Sequence, residues 1–295
     1  MTVDLMRLSS DLISADLYTY RQPQKDISVL AVILGNNMSY KPYSIWTPEF
    51  NPISGGIRVM WGLFGHLLAK GQLAVTNASW HTPFTAVYPE ITHGNPLNAQ
   101  RVIRYILNKP GFMGSYGVPG PTKFDTNDEI YVFSKIYDTF GVDDEHILFL
   151  PILNLHVFQD QKRNRNKTCY FVGKGRNLNL HPENAIEIDH KISIDQQLLA
   201  DTLNTCSVFY SYENPTAMVE IARLCGCRVV YFPQGASTNY TRKELTELYE
   251  PGMDGVSFAK DEEIALDTKL FRDKYINLLD TFNRKLDRFI THTQL

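Results

Sequence analysis

The chain has 295 residues, 43% of them hydrophobic and 12% aromatic, enough to bury one large core or two modest ones. Its formal net charge of −3 argues against whole-surface binding to nucleic acid or to an anionic membrane. The opening MTVDLMRLSSDLISADLY carries acids and no apolar run. The longest apolar stretch, residues 27–34, falls far short of the roughly 20 residues of a spanning helix, so the expectation is a soluble, cytoplasmic protein without a transmembrane segment.

ISVLAVILG (27–35) reads as a strand covered on both faces. After a long loop, SGGIRVMWGLFGHLLAKG (54–71) repeats Ile57, Met60, Leu63, Phe64, Leu67 and Leu68 at helical spacing, with Gly71 as its stop. QLAVTNA (72–78) and FTAVYPE (84–90) follow as short strands. NPLNAQRVIRYILNKPG (95–111) reads as a helix with Asn95 as N-cap, Pro96 in the first turn and Pro110 or Gly111 at its end. DEIYVFSK (128–135) and HILFLPI (146–152) read as further strands. The polar stretch DQKRNRNKT (160–168), with Lys162, Arg163, Arg165 and Lys167, reads as a linker or solvated loop.

A second α/β winding then begins. TCYFVGKG (168–175) is a strand ending in a glycine-rich turn, and NAIEID (184–189) is another strand. SIDQQLLADTLNTC (193–206) is a helix with Ser193 as N-cap. The strand SVFYSYE (207–213), the helix PTAMVEIARLCG (215–226) and the strand CRVVYFP (227–233) follow. From about Asp261 the pattern is an amphipathic helix to the end. Repeated alternation of this kind predicts a mainly parallel sheet. Cys169, Cys206, Cys225 and Cys227 have no metal or CxxC spacing and read as buried thiols.

In parallel α/β sheets ligands bind beyond the carboxyl ends of the strands. In the first half those ends carry Gly55-Gly56, His81, Glu90 and His93; in the second they carry Gly173–Arg176 and Tyr212–Thr216. Lys174 and Arg176 bring two positive charges to a glycine turn suited to phosphate, although the P-loop spacing is absent. With Asn214 as N-cap and Pro215 at the first helical position, the following helix offers open amides to an anion, and Glu213 offers a carboxylate to sugar hydroxyls.

SYENPTAMVEIARLCGCRVVYFP (211–233) resembles the donor-site segment of GT-B fold glycosyltransferases. The Gly55-Gly56 turn and the strand ending VGKGR (172–176) resemble that family's opening glycine turn and basic phosphate site. VYPEITHGNPLNAQRVIRYILNKPG (87–111) is similar to bacterial surface-polysaccharide enzymes of the group 1/family 4 type. The resemblance implies an α/β protein of two Rossmann-like domains facing a cleft, with a C-terminal helix packing back across them. The implied boundaries are 1–157 for the acceptor domain, 158–262 for the donor domain and 263–295 for the helical segment.

The implied activity is a metal-independent, cofactor-free glycosyltransferase of polysaccharide or glycoconjugate biosynthesis. It would move a sugar from a nucleotide-diphosphate sugar to a glycan or lipid-linked acceptor, peripheral membrane contact being compatible with the second. Glu220 would bind the ribose, Lys174 and Arg176 would balance the diphosphate, and Tyr212, Glu213, Asn214, Pro215 and Thr216 would line the sugar and phosphate. Gly55 and Gly56 would let the first domain's loop approach the phosphate. An inverting enzyme needs a general base in the first domain, for which Glu90 is the first candidate and His81 and His93 are rivals; a retaining one needs none. A sugar-nucleotide epimerase and a catalytically silent nucleotide-sugar-binding protein are the alternatives.

Overall fold

The computed structural model describes residues 41–112, 119–258, 262 and 264–295. The strand expected at 27–35 lies outside them. Two compact units divide the chain: Met1–Ile152 with Asn283–Leu295, and Leu153–Phe282.

The first unit is built on a five-stranded parallel sheet of order β2-β1-β3-β4-β5. Its strands are β1 (Tyr43–Ile45), β2 (Ala74–Thr76), β3 (Thr85–Pro89), β4 (Arg101–Ile106) and β5 (Glu129–Val132). Helix α1 (Gly55–Ala69) crosses from β1 to β2. The Ser54 hydroxyl accepts the Ile57 amide at its start, and Gly71, at φ +73°, sits just beyond its last turn. Val59, Leu63 and Leu67 are 2% exposed or less, and burial of side chains of this size contributes about 1.5–3 kcal/mol each.

Three expectations fail in this unit. Tyr43–Ile45, read as loop, is a central strand; three residues between Pro42 and Trp46 are too short to show a period. The helix expected over 95–111 is instead a turn followed by β4. Val102, Ile103 and Ile106 favour the pleated state once β3 and β5 flank them, so tertiary pairing overrides an ambiguous pattern. Asn95 still caps, but it caps a turn: its amide oxygen accepts from Ala99 N and its amide nitrogen donates to Ala99 O. The strand expected at 146–152 begins in a 3-10 turn (Asp144–His146) and forms no strand there; its backbone pairing with β5 is an isolated bridge between Val132 and Ile147.

The second unit repeats the same plan. Its strands are β6 (Lys167–Phe171), β7 (Ile186–Glu187), β8 (Cys206–Ser211), β9 (Arg228–Tyr231) and β10 (Val256–Ser257), all parallel, in the order β10-β9-β8-β6-β7. Counted from its own first strand this is again 2-1-3-4-5. The helices are α2 (His190–Ile194), α3 (Gln196–Thr205), α4 (Ala217–Leu224) and α5 (Arg242–Leu248). Helix α6 (Thr268–Gln294) begins in this unit, where it buries Phe271, Tyr275 and Phe282, and its last residues belong to the first, where Leu286 and Phe289 are buried.

Two helix starts differ from expectation. Asp189 and Asp195 cap α2 and α3, accepting from Ile192 N and Leu198 N, whereas Ser193 lies inside α2 and donates back to the Asp189 carbonyl. Both carboxylates stand where open amides and the positive end of the helix favour an anion. Helix α4 begins at Ala217, with Thr216 as its N-cap, so Asn214 and Pro215 precede it.

Arg165, in the polar stretch read as a solvated loop, is held in a network. Its guanidinium donates to Asp160, to Asn204 and to the carbonyls of Leu203, Cys206 and Cys225. The four cysteines are buried free thiols, as their apolar contexts imply.

Right-handed crossovers place the β6–β7 connection on the opposite sheet face from α3 and α4. That connection carries no helix. Its cover over Tyr170, Tyr210, Tyr212 and Phe232 comes from residues near Leu180 and His181, with the His181 ring stacked 3.7 Å from that of Tyr170.

Candidate functional site

In a parallel sheet of order 2-1-3-4-5, the winding of the strand order reverses between the first and third strands, and the crevice beyond their carboxyl ends is the place for a ligand. Each unit has one such point.

In the second unit it falls between β6 and β8. The turn Gly173–Arg176 leaves β6, and Tyr212–Thr216 leave β8. Glu213 joins them, its carboxylate accepting the Lys174 amide at 2.8 Å. The backbone there is close: a methyl on Gly175 would overlap the Tyr212 carbonyl, and Gly173 has φ +55° beside the Glu213 carboxylate. Burial pushes the Glu213 carboxyl above its usual range, against the opposing pull of the Lys174 amide and ammonium.

A third strand end is stitched in from β9. Gln234 accepts from Arg176 N and donates to Arg176 O, at 2.8 and 2.7 Å, and the Asn214 side chain accepts from Ser237 N. The Tyr212 hydroxyl receives Leu180 N at 3.1 Å and contacts His181 Nδ1 at 2.9 Å. Lys174 and Arg176 are exposed on this fixed turn. Gln234, Ser237 and His181 were not singled out in sequence, because polar residues in irregular segments show no period.

Glu220 has a different setting from the one expected. It lies in the first turn of α4, 5% exposed, and accepts a hydrogen bond from the Tyr249 hydroxyl. Arg223, one turn on, is fully buried, lies 3.7 Å over the Phe271 ring and donates to the Val219 and Asp254 carbonyls. Desolvation lowers its pKa to about 10, against the raising influence of Tyr249, Glu220 and Asp254. Burial of Glu220 is thus accounted for within the helix packing.

In the first unit the reversal falls between β1 and β3. A cavity of about 540 Å³ opens there, lined by Trp46, Thr47 and Pro48 after β1, Asn77 after β2, and Pro89, Ile91, Thr92 and His93 at the end of β3. This volume is within the roughly 300–1,000 Å³ of small-molecule sites. Asn77, at φ +54°, engages Thr47 with both ends of its side-chain amide: Oδ1 accepts Thr47 N at 2.9 Å and Nδ2 donates to Thr47 O at 2.6 Å. Arg104 holds the opposite wall. It pairs with Asp128 at 2.6 Å, donates to the carbonyls of Thr92 and Gly94, and lies 5.1 Å from the rings of Tyr88 and Phe124.

The three candidate bases separate. His93 lines the cavity; His81 is exposed and not on its wall. Glu90 is 5% exposed and accepts the Leu107 amide at 2.9 Å, tying the end of β3 to that of β4. Burial raises its carboxyl pKa, against the backbone amides that favour the ion. Gly55 and Gly56 open α1; a methyl on Gly55 would meet nothing within 4 Å. Trp46 and Thr47 were missed in sequence because β1 was not recognised as a strand, and Asn77 because the end of β2 was not weighed as a ligand position.

Among the described residues, no group of three or more His, Cys, Asp or Glu side chains could hold a metal ion, and no helix is long and apolar enough to cross a membrane. The fold and the two strand-end sites define an α/β protein with two Rossmann-like parallel sheets. No protein-family model matches the chain, and neither a curated protein nor a solved structure does so.

Proposed function

We propose that the protein is a nucleotide-sugar-dependent glycosyltransferase of the GT-B type, acting in polysaccharide or glycoconjugate synthesis. The observation that carries the reading is the second unit's reversal point, where a glycine turn bearing Lys174 and Arg176 is locked to Glu213. Two exposed cations on a rigid backbone suit a diphosphate, whose charge grows as it leaves the anomeric carbon. Glu213 and Gln234 hold that turn through their bonds to Lys174 and Arg176, so less ordering is needed when the donor binds.

In an inverting reaction the acceptor oxygen bonds the anomeric carbon as the carbon–diphosphate bond breaks, and a base takes the acceptor's proton. His93 suits that role better than Glu90, whose carboxylate is occupied by the Leu107 amide. The ribose role of Glu220 is weakened by its bond from Tyr249. The Glu90 commitment also favours a second reading, a nucleotide-sugar-binding protein without catalysis.

Thermal shift with UDP, GDP, TDP and CMP tests the donor site, because a ligand at 100 times its dissociation constant stabilises by about 2.7 kcal/mol. At least one nucleotide should raise the melting temperature, and Lys174→Ala should lessen the shift. Absence of any shift overturns the donor reading. Slow hydrolysis of the matching nucleotide sugar separates enzyme from binder.

A further inference from the structure

We infer that Arg104 is a positioning residue: its guanidinium clasps the backbone on both sides of His93 and so sets where that imidazole stands at the first unit's cavity. The inference deepens the glycosyltransferase reading and rests on it for the role of His93 as the acceptor's base.

Three observations lead there. The first is the clasp itself. Arg104 Nη1 donates to the Thr92 carbonyl at 3.0 Å, and Nη2 donates to the Gly94 carbonyl at 2.6 Å. The residue between those carbonyls is His93, which lines the cavity. A guanidinium is planar, with its donors at fixed spacing, so the two carbonyls cannot drift independently.

Second, the clasp is anchored in the sheet. Arg104 stands in β4, paired with Tyr88 of β3 and Ile130 of β5. It is 1% exposed, its Nε donates to Asp128 at 2.6 Å, and it lies 5.1 Å from the Tyr88 ring. The place of His93 is thereby referred to the middle of the sheet rather than to the loop that carries it.

Third, the loop has few other fixings. One turn bond, from Thr92 N to Pro89 O at 3.1 Å, precedes His93. Gly94 follows at φ +59°, where an added methyl would meet nothing within 4 Å, so packing does not fix the chain there. His93 is exposed, and its ring nitrogens make no hydrogen bond among the described residues. The backbone is held while the ring nitrogens stay unengaged, which suits a base that takes the proton of an acceptor hydroxyl. Core packing alone does not account for the guanidinium. An apolar pair in place of Arg104 and Asp128 would fill the same space without dehydrating two charges.

That apolar pair supplies the test. Arg104→Met/Asp128→Leu keeps a filled core and removes the clasp, which separates stability from positioning. NMR of the full chain with isotope-labelled histidine reads the imidazole directly. The His93 ring signals, assigned by their loss in His93→Gln, should shift or split in the double variant, while those of His156 in the second unit stay. Hydrolysis of the nucleotide sugar should lose about ten- to hundredfold in kcat, with KM for the donor held within about twofold. In a His93→Gln background the same two changes should cost kcat nothing further, because both act through one imidazole. Should the double variant not fold, Arg104→Lys replaces it with the same outcomes expected, since an ammonium beside Asp128 cannot span both carbonyls.

Unchanged His93 signals overturn the inference. So does a kcat loss that multiplies with that of His93→Gln, or hydrolysis that His93→Gln leaves intact. Displaced His93 signals in a chain that hydrolyses no nucleotide sugar keep the clasp and remove the transferase reading.

Discussion

Replacing Arg104 by Met should destabilise the first unit by about 3–5 kcal/mol, the usual cost of breaking a buried ion pair from one side. The pair is well removed from water: the Arg104 and Asp128 side chains are 2% and 6% exposed. Methionine keeps much of the contact with Tyr88 and Phe124 but leaves the Asp128 carboxylate buried without its cation and the Thr92 carbonyl without its donor. Native stability is typically about 5–15 kcal/mol, so the loss is a large share. With a urea slope near 2 kcal/mol/M, the midpoint should fall by about 1.5–2.5 M. The assay can be confined to this unit, because all three tryptophans, Trp46, Trp61 and Trp80, lie in it. Their fluorescence follows its unfolding alone. The double variant Arg104→Met/Asp128→Leu should recover most of the loss, since an apolar pair needs no compensation. A single-variant cost below about 1 kcal/mol, or a double variant no better than the single, would refute the claim that the ion pair holds the cavity wall.

Two further predictions concern the strand ends. Glu90 has a raised pKa when folded, so its protonation favours the native state; that contribution is full below the unfolded value and is lost as pH rises through the folded one. Glu90→Gln should therefore gain stability over the parent as pH goes from 4 to 8, measured by urea titration, and a difference independent of pH would contradict the desolvated setting. Gly175→Ala should lower the melting temperature and remove any nucleotide-induced shift, because the added methyl collides with the Tyr212 carbonyl; a variant that melts and binds like the parent would mean the turn is not packed so closely.

Legibility in the sequence followed length and symmetry of pattern. Helix α1 could be read because Ile57, Met60, Leu63, Phe64, Leu67 and Leu68 recur at helical spacing before a glycine stop. The second winding was also legible, since β8, α4 and β9 follow one another with short turns. RVIRYI was misread because six residues with four apolar positions fit either state until their neighbours are known. Gly173–Arg176 and Glu213 were picked out from charge and glycine content, but the bond between them spans 39 residues and has no local trace. Thr47 and Asn77 show the same limit: the two bonds between them span 30 residues and have no local trace.

The Arg165 network has a consequence for the order of assembly. The guanidinium's carbonyl partners, at Leu203, Cys206 and Cys225, stand 38 to 60 residues along the chain. Such bonds close only after the intervening loops have been closed, so Arg165→Met is expected to speed unfolding more than it slows refolding, which the two arms of a denaturant chevron would read. On that expectation Arg165 acts as a latch set late, and an equal slowing of refolding would place it in the nucleus instead.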